Sequence, residues 1–68
     1  MELTNTVLDR RQHLGMTRDQ LAAKAGVSAS TIVALEHGTM NNPKLATMIK
    51  IAKALKVNSY WRLFTEVK

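Results

Sequence analysis

Apolar residues recur along most of this chain at intervals of three and four positions, the spacing of one face of an α-helix. Short polar connections separate the stretches that show this pattern, and most of them contain a glycine. Five helices are therefore predicted, over residues 2–14, 18–25, 29–37, 44–55 and 60–65. The whole chain, residues 1–68, is expected to fold as one all-α domain.

Two helix-start signals lie eleven residues apart in the middle of the chain. Thr17 and Gln20 have the spacing of a capping box, in which each side chain accepts a hydrogen bond from the other residue's backbone N–H. Ser28 can cap the next helix in the same way. Gly26 lies between them, where a helix commonly ends in the left-handed conformation. Two short helices joined by such a turn form a helix-turn-helix.

The third helix has distinct inner and outer faces. Its period directs Ile32 and Leu35 to the core, with Glu36 at the margin. The outer face carries Ser30, Val33, Ala34 and His37, and Ala29 lies at the exposed start of the helix. In a helix-turn-helix this face enters the major groove of DNA. The alternative is that two amphipathic helices simply meet at a glycine in a small bundle.

The first and fourth helices are expected to complete the core. Leu3, Val7 and Leu14 form the inward stripe of the first helix. Asn42 is the predicted cap of the fourth helix, with Pro43 in its first position. The predicted buried residues of the fourth helix are Leu45, Met48, Ile49, Ala52 and Leu55.

The last predicted helix begins after Ser59 and contains all three aromatic residues of the chain. A chain of 68 residues cannot easily bury every apolar side chain in this segment. One interpretation is a dimer surface, for which the candidates are Tyr60, Leu63, Phe64 and Val67. The other is that these residues close one end of the core.

Charge favours a polyanionic partner. Ten Lys and Arg residues oppose five Asp and Glu residues, which gives a net charge of +5 and a pI near 10.1. A merely soluble, charged surface is the alternative explanation. The chain contains no cysteine, which is compatible with a reducing cytoplasm, the expected location. No apolar run approaches the roughly 18 residues of a membrane span, so no membrane partner is expected.

Enzymatic chemistry is not indicated. His13 and His37 stand at predicted helix ends, with no nucleophile or acid at a recognisable spacing. The chain has neither a glycine-rich phosphate loop nor a metal-ligand spacing. We therefore expect no catalytic residue, no metal and no cofactor.

Five sequence segments together resemble the DNA-binding domain of phage repressors and Cro proteins, a family also seen in bacterial xenobiotic-response-type regulators. The segments are R-x-x-x-G-M-T-R-D-Q-L-A from Arg11, A-G-V-S-x-S-T-I from Ala25, L-E-H-G from Leu35, P-K-L-A-T-M-I-K-I-A-K-A-L-K-V from Pro43, and W-R-L-F from Trp61. The resemblance implies a five-helix, lambda-repressor-like domain that binds a pseudo-palindromic operator as a homodimer in a bacterial cytoplasm.

Residue roles follow from the matching positions. The resemblance implies that Arg11 and Glu36 form an ion pair between the first and third helices. The positions that would read bases are Ser28, Ala29, Ser30, Val33 and Ala34. Those that would contact phosphates are Thr17, Arg18, His37, Thr39, Asn41, Asn42 and Lys44.

The base-reading positions differ from those of a strongly specific protein. They include no Arg, Lys, Asn or Gln, the residues that form bidentate contacts with bases. We therefore expect modest sequence specificity, with much of the affinity from phosphates and DNA shape. The alternative function is protein binding, in which the small apolar surface of Ala29, Val33 and Ala34 contacts another repressor or a toxin.

Overall fold

A computed structural model describes residues 3–66, which form four α-helices, one turn of 3₁₀-helix and a two-stranded antiparallel sheet. The helical class and the helix-turn-helix are as predicted, whereas the count of five helices is wrong. In chain order the elements are β1 (Leu3–Asn5), α1 (Val7–His13), α2 (Arg18–Ala25), α3 (Ala29–Glu36), α4 (Leu45–Ala54), the 3₁₀ turn (Tyr60–Arg62) and β2 (Phe64–Glu66).

The central helices begin and end where local signals place them. Thr17 and Ser28 are the N-caps of α2 and α3, and both side chains accept a backbone hydrogen bond. Gly26 ends α2 with a φ of 73°, a conformation that a residue with a Cβ adopts only at a cost. The end of α3 differs slightly from the prediction, since His37 is its C-cap and not its last helical residue.

The first predicted helix is wrong over its initial residues, because residues 3–5 form β1. Leu3 pairs with Glu66 of β2, and its N–H donates to the carbonyl of Asn41 at 2.7 Å. The Asn5 carboxamide then starts α1, since its Oδ1 accepts the N–H of Val7 at 3.1 Å. The backbone of residues 3–5 therefore hydrogen-bonds to residues far along the chain, which a local helical pattern does not reveal.

The last predicted helix is replaced by the 3₁₀ turn and β2. Leu63 and Phe64 are only 2% and 5% exposed and belong to the core. They cannot form the predicted dimer surface, because their side chains already pack inside the domain. Tyr60 is half-buried against the same core, and Val67 lies outside the described residues.

The fourth helix and its C-cap bury three of the five residues predicted for the core, which are Met48, Ala52 and Leu55, and leave the other two exposed. Asn42 and Pro43 precede α4, and Lys44 is its N-cap, without a side-chain cap bond. Leu45 and Ile49 were expected to be buried but are 53% and 38% exposed, whereas Ile51 is fully buried. Apolar residues surround much of this helix, so its periodicity permits two stripes. Packing against α2 and the 3₁₀ turn decides between them.

The core lies where the four helices meet. Its fully buried large side chains are Val7, Leu21, Ile32, Leu35, Ile51 and Leu55. Ala22 of α2 is buried as well. Within residues 3–66, no helix combines the length and apolar character that crossing a bilayer requires.

Candidate nucleic-acid interface

The start of α2 presents two backbone donors to solvent. Thr17 Oγ1 accepts the N–H of Gln20 at 3.0 Å, and Gln20 Oε1 accepts the N–H of Thr17 at 2.8 Å. A helix start leaves four N–H groups without a helical partner, and this capping box satisfies two of them. The N–H groups of Arg18 and Asp19 remain. Such donors, together with the helix dipole, suit a phosphate oxygen.

The start of α3 uses one of the predicted base readers for structure. Ser28 Oγ accepts the N–H of Thr31 at 3.2 Å and is hydrogen-bonded to Thr31 Oγ1 at 2.9 Å. Ser30 is exposed and takes no part in this cap. The other predicted readers, Ala29, Val33 and Ala34, are half-buried. Among the predicted base-reading residues, Ser30 is therefore the exposed polar side chain that does not take part in capping α3.

A surface concavity brings the starts of α2 and α3 together. Thr17 and Arg18, predicted to contact phosphates, line it together with Ala29 and Val33, predicted to contact bases. The α1 residues Leu8, Arg11 and Gln12 complete its wall, beside Asp19. Gln12 is an exposed amide that was not among the predicted site residues. Its position one turn after Leu8, on the same side of α1, was the available signal.

Two arginines that line this concavity converge on one carboxylate. Arg11 Nε lies 2.6 Å from Glu36 Oε2, and another Arg11 nitrogen donates to the carbonyl of Met16 at 2.8 Å. Arg18 Nε lies 2.8 Å from Glu36 Oε1. The Glu36 side chain is fully buried, whereas that of Arg18 is 43% exposed. The ion pair between Arg11 and Glu36 is thus present, and Arg18 has a structural partner besides its predicted role.

The charge state of Glu36 follows from these contacts. Burial by itself raises the pKa of this carboxyl group. Hydrogen bonds from Arg11 and Arg18, with the attraction of their charges, oppose this effect and lower the pKa below its ordinary value. Glu36 is therefore ionised at neutral pH, and it holds the guanidinium of Arg18 at the edge of the concavity.

The loop after α3 contains the remaining predicted phosphate contacts. His37, Asn41, Asn42 and Lys44 are exposed. Thr39 is committed to ending α3, because both its N–H and its hydroxyl donate to the carbonyl of Ala34, at 3.0 and 3.2 Å. His37 and Asn41 line a second hollow, next to β1, which shares no residue with the α2–α3 concavity.

The net positive charge is confined to one part of the chain. Residues 1–36 contain four Lys or Arg and four Asp or Glu. Residues 37–65 contain no acidic residue and five exposed cations, which are Lys44, Lys50, Lys53, Lys56 and Arg62. The helix-turn-helix itself is electrically balanced, so long-range attraction of a polyanion originates in the second half of the domain.

Within residues 3–66, no three His, Asp or Glu side chains come together as a metal site would require. What the arrangement offers is a set of hydrogen-bond donors and cations around a helix start.

The fold and this surface define a helix-turn-helix domain, and comparison with known proteins agrees. Residues 7–61 match the Cro/C1-type helix-turn-helix family, and the chain belongs to that family of DNA-binding regulators.

Several curated proteins are similar to it. An uncharacterised HTH-type transcriptional regulator of Methanothermobacter thermautotrophicus is 41% identical over 49 residues, which cover 72% of this chain and 70% of that protein. The HTH-type transcriptional repressor RghR of Bacillus subtilis is 45% identical over 47 residues, covering 69% of this chain. RghRB of the same organism, an uncharacterised HTH-type transcriptional regulator, is 45% identical over 42 residues, or 62% of this chain. The matches span 35% and 30% of the two Bacillus proteins.

Proposed function

We propose that this protein regulates transcription, in a bacterium or a phage, by inserting α3 into the major groove of a DNA operator. The observation that carries the proposal is the shared concavity, where the free N–H groups of Arg18 and Asp19 stand beside the start of α3. A phosphate bound at the α2 start would set α3 at the depth and angle needed to reach base edges.

Base reading in this proposal depends on few contacts. Ser30 supplies single hydrogen bonds, and Val33 and Ala34 contact thymine methyl groups. Because Ala29, Val33 and Ala34 are half-buried, the same face offers little apolar area to a protein partner. DNA therefore suits this face better than the alternative of another repressor or a toxin.

Phosphate contacts supply most of the affinity. Lys44 and the exposed side chains of His37, Asn41 and Asn42 lie after α3, in the part of the chain with all the net positive charge. Each neutralised phosphate releases counterions, so binding weakens steeply as salt rises. Thr39 is assigned a structural role here, because its hydroxyl proton is already donated to Ala34.

Replacing Arg18 by alanine should weaken binding to all duplex sequences by a similar factor. Loss of one phosphate contact reduces the slope of log K against log salt by about one. The measurement is fluorescence anisotropy of labelled duplexes over a salt series. Lys24→Ala, the same loss of charge at the other end of α2, is the control and should leave the slope nearly unchanged. An unchanged slope for Arg18→Ala would remove this residue from the phosphate contacts.

Selection from a random duplex pool at about 0.15 M salt tests operator reading directly. We expect a defined sequence to be enriched, and we expect Ser30→Ala to change the preferred bases more than the total affinity. If Ser30→Ala selects the same sequence as the unchanged chain, α3 is not reading bases through this residue. If the unchanged chain enriches nothing, the operator proposal is wrong.

The selected sequence also reports the number of copies bound. The longest dimension of the domain is 31 Å, slightly less than the roughly 34–36 Å between half-sites one helical turn apart. The size of the domain is therefore comparable with that spacing. A pseudo-palindrome with that spacing would support a homodimer on DNA, whereas a single half-site would support a monomer.

A further inference from the structure

Large apolar side chains are exposed on α4 and on the 3₁₀ turn that packs against it. Among the described residues these are Leu45, Ile49 and Trp61, with Trp61 64% exposed. Leu45 and Ile49 are one helical turn apart, and Ile49 lines a shallow hollow together with Tyr60 and Trp61. The two aromatic rings meet edge to face, with centroids 5.3 Å apart. We refer to Leu45, Ile49, Tyr60 and Trp61 as the α4 patch.

A cation lies at the α4 patch, and two others are close to it in the chain. Lys53 lines the same hollow, Lys50 is exposed on α4, and Arg62 follows Trp61 in the chain. The sequence has no acidic residue between Glu36 and Glu66. An apolar surface with cations at its rim selects its occupant by charge as well as by hydrophobicity.

This rim argues against a second copy of the chain. If two α4 patches met face to face, Lys53 and Arg62 of both copies would be brought together. Residues 37–65 of either copy could supply no carboxylate to pair with them. Like charges brought together at an interface are destabilising, so patch-to-patch self-association is disfavoured.

Duplex DNA is also a poor occupant. Its backbone would satisfy the lysines but would offer no apolar surface to Leu45, Ile49 and Trp61. Most of the predicted DNA contacts, moreover, lie elsewhere, at the starts of α2 and α3 and in the loop after α3, and only Lys44 adjoins the patch in the chain.

We propose that the α4 patch binds an acidic amphipathic segment of another protein. The apolar side of that segment would cover Leu45, Ile49 and Trp61, and its carboxylates would face Lys50, Lys53 and Arg62. A helical segment meets both requirements, because its apolar residues recur every three or four positions and its acidic residues flank them. This binding does not depend on DNA recognition by α3.

The probe is a synthetic three-turn helical peptide of about 11 residues, with leucines along one side and glutamates on the remaining positions. Binding is followed by anisotropy of a fluorescein on the peptide and by the emission of Trp61, the only tryptophan of the chain. We expect saturable binding with a blue shift of the tryptophan emission. A peptide with glutamine for glutamate, and one with scrambled leucines, should each bind roughly tenfold more weakly.

Variants of the full chain locate the site. Ile49→Ser and Lys53→Glu should each weaken peptide binding roughly tenfold. Lys24→Glu makes the same charge change on α2 and should change it by less than about twofold. Ile49 and Lys53 are both exposed, and circular dichroism checks that the helices are retained in these variants. Duplex binding is measured separately, and Ile49→Ser should retain it. Failure of the peptide-binding proposal can therefore be distinguished from failure of the operator proposal.

Several results would overturn the proposal. One is equal binding of all three peptides, which would indicate nonspecific attraction. Another is undiminished peptide binding by Ile49→Ser. A third is sedimentation of the unchanged chain as a dimer that Ile49→Ser dissociates, which would assign the patch to a second copy. Loss of duplex binding in Ile49→Ser would assign it to DNA.

Discussion

Replacing Ile51 by alanine should lower the free energy of unfolding by about 2–5 kcal/mol, the usual cost of truncating a large aliphatic side chain in a core. Ile51 is fully buried on α4, so the shorter side chain leaves a cavity among its neighbours. The same change at Ile49, two residues earlier and 38% exposed, should cost less than about 1 kcal/mol. Urea denaturation of both variants measures the difference.

This pair of isoleucines tests which face of α4 is buried. Periodicity alone favours Ile49, and packing against α2 favours Ile51. Because 68 residues support only a small core, Ile51→Ala could leave little folded protein. Ile51→Val, with an expected cost of about 0.5–1.5 kcal/mol, keeps the comparison measurable. A larger loss at position 49 than at position 51 would show that α4 is rotated from the orientation described here.

Replacing Glu36 by alanine should be similarly damaging, with an expected loss of roughly 3–5 kcal/mol. The carboxylate is the counter-charge of the buried Arg11 guanidinium, which would be left unpaired. Arg18→Ala, which removes the exposed partner of the same carboxylate, should cost only about 0–1 kcal/mol. Thermal or urea unfolding of the two variants gives the comparison.

A double variant separates the pair itself from the damage of breaking it. Arg11→Met combined with Glu36→Leu removes both charges and fills the same space with apolar atoms. We expect it to recover most of the stability lost in Glu36→Ala, because buried ion pairs are often replaceable by apolar residues. If Glu36→Ala costs less than about 1 kcal/mol, Arg11 is not dependent on this partner.

The Glu36 carboxyl also gives stability a pH dependence of known sign. Folding lowers its pKa, so the folded state binds this proton less tightly than the unfolded state does. The stability that this ionised carboxylate contributes is fully present above its ordinary pKa of 4.5. It is lost as the pH falls through the lower pKa of the folded state. In Glu36→Gln, the free energy of unfolding should therefore decline less steeply with falling pH than in the unchanged protein. Parallel curves for the two proteins would show that Glu36 does not cause this decline.

The sequence predicts the geometry of the site correctly where the contacts are local. Thr17, Gln20 and Ser28 interact with backbone atoms three residues away, and their residue types suffice to predict that geometry. The second partner of Glu36 is different, because Arg18 lies eighteen residues away and reaches it only when α2 and α3 cross. The base-reading and phosphate-contacting residues remain predictions, although Thr39 and Ser28 now have structural roles in ending and starting α3.

Residue types along the chain are sufficient to predict the helix-turn-helix, since caps and a glycine turn act within a few residues and need no distant partner. They also determine where the net positive charge lies along the chain. Long-range packing, in contrast, pairs Leu3 with Glu66 in a strand, buries Ile51 while leaving Ile49 exposed, and brings Leu63 and Phe64 into the core. Each of these features depends on a contact with residues far along the chain. The local sequence is compatible with more than one arrangement there, and packing selects among them.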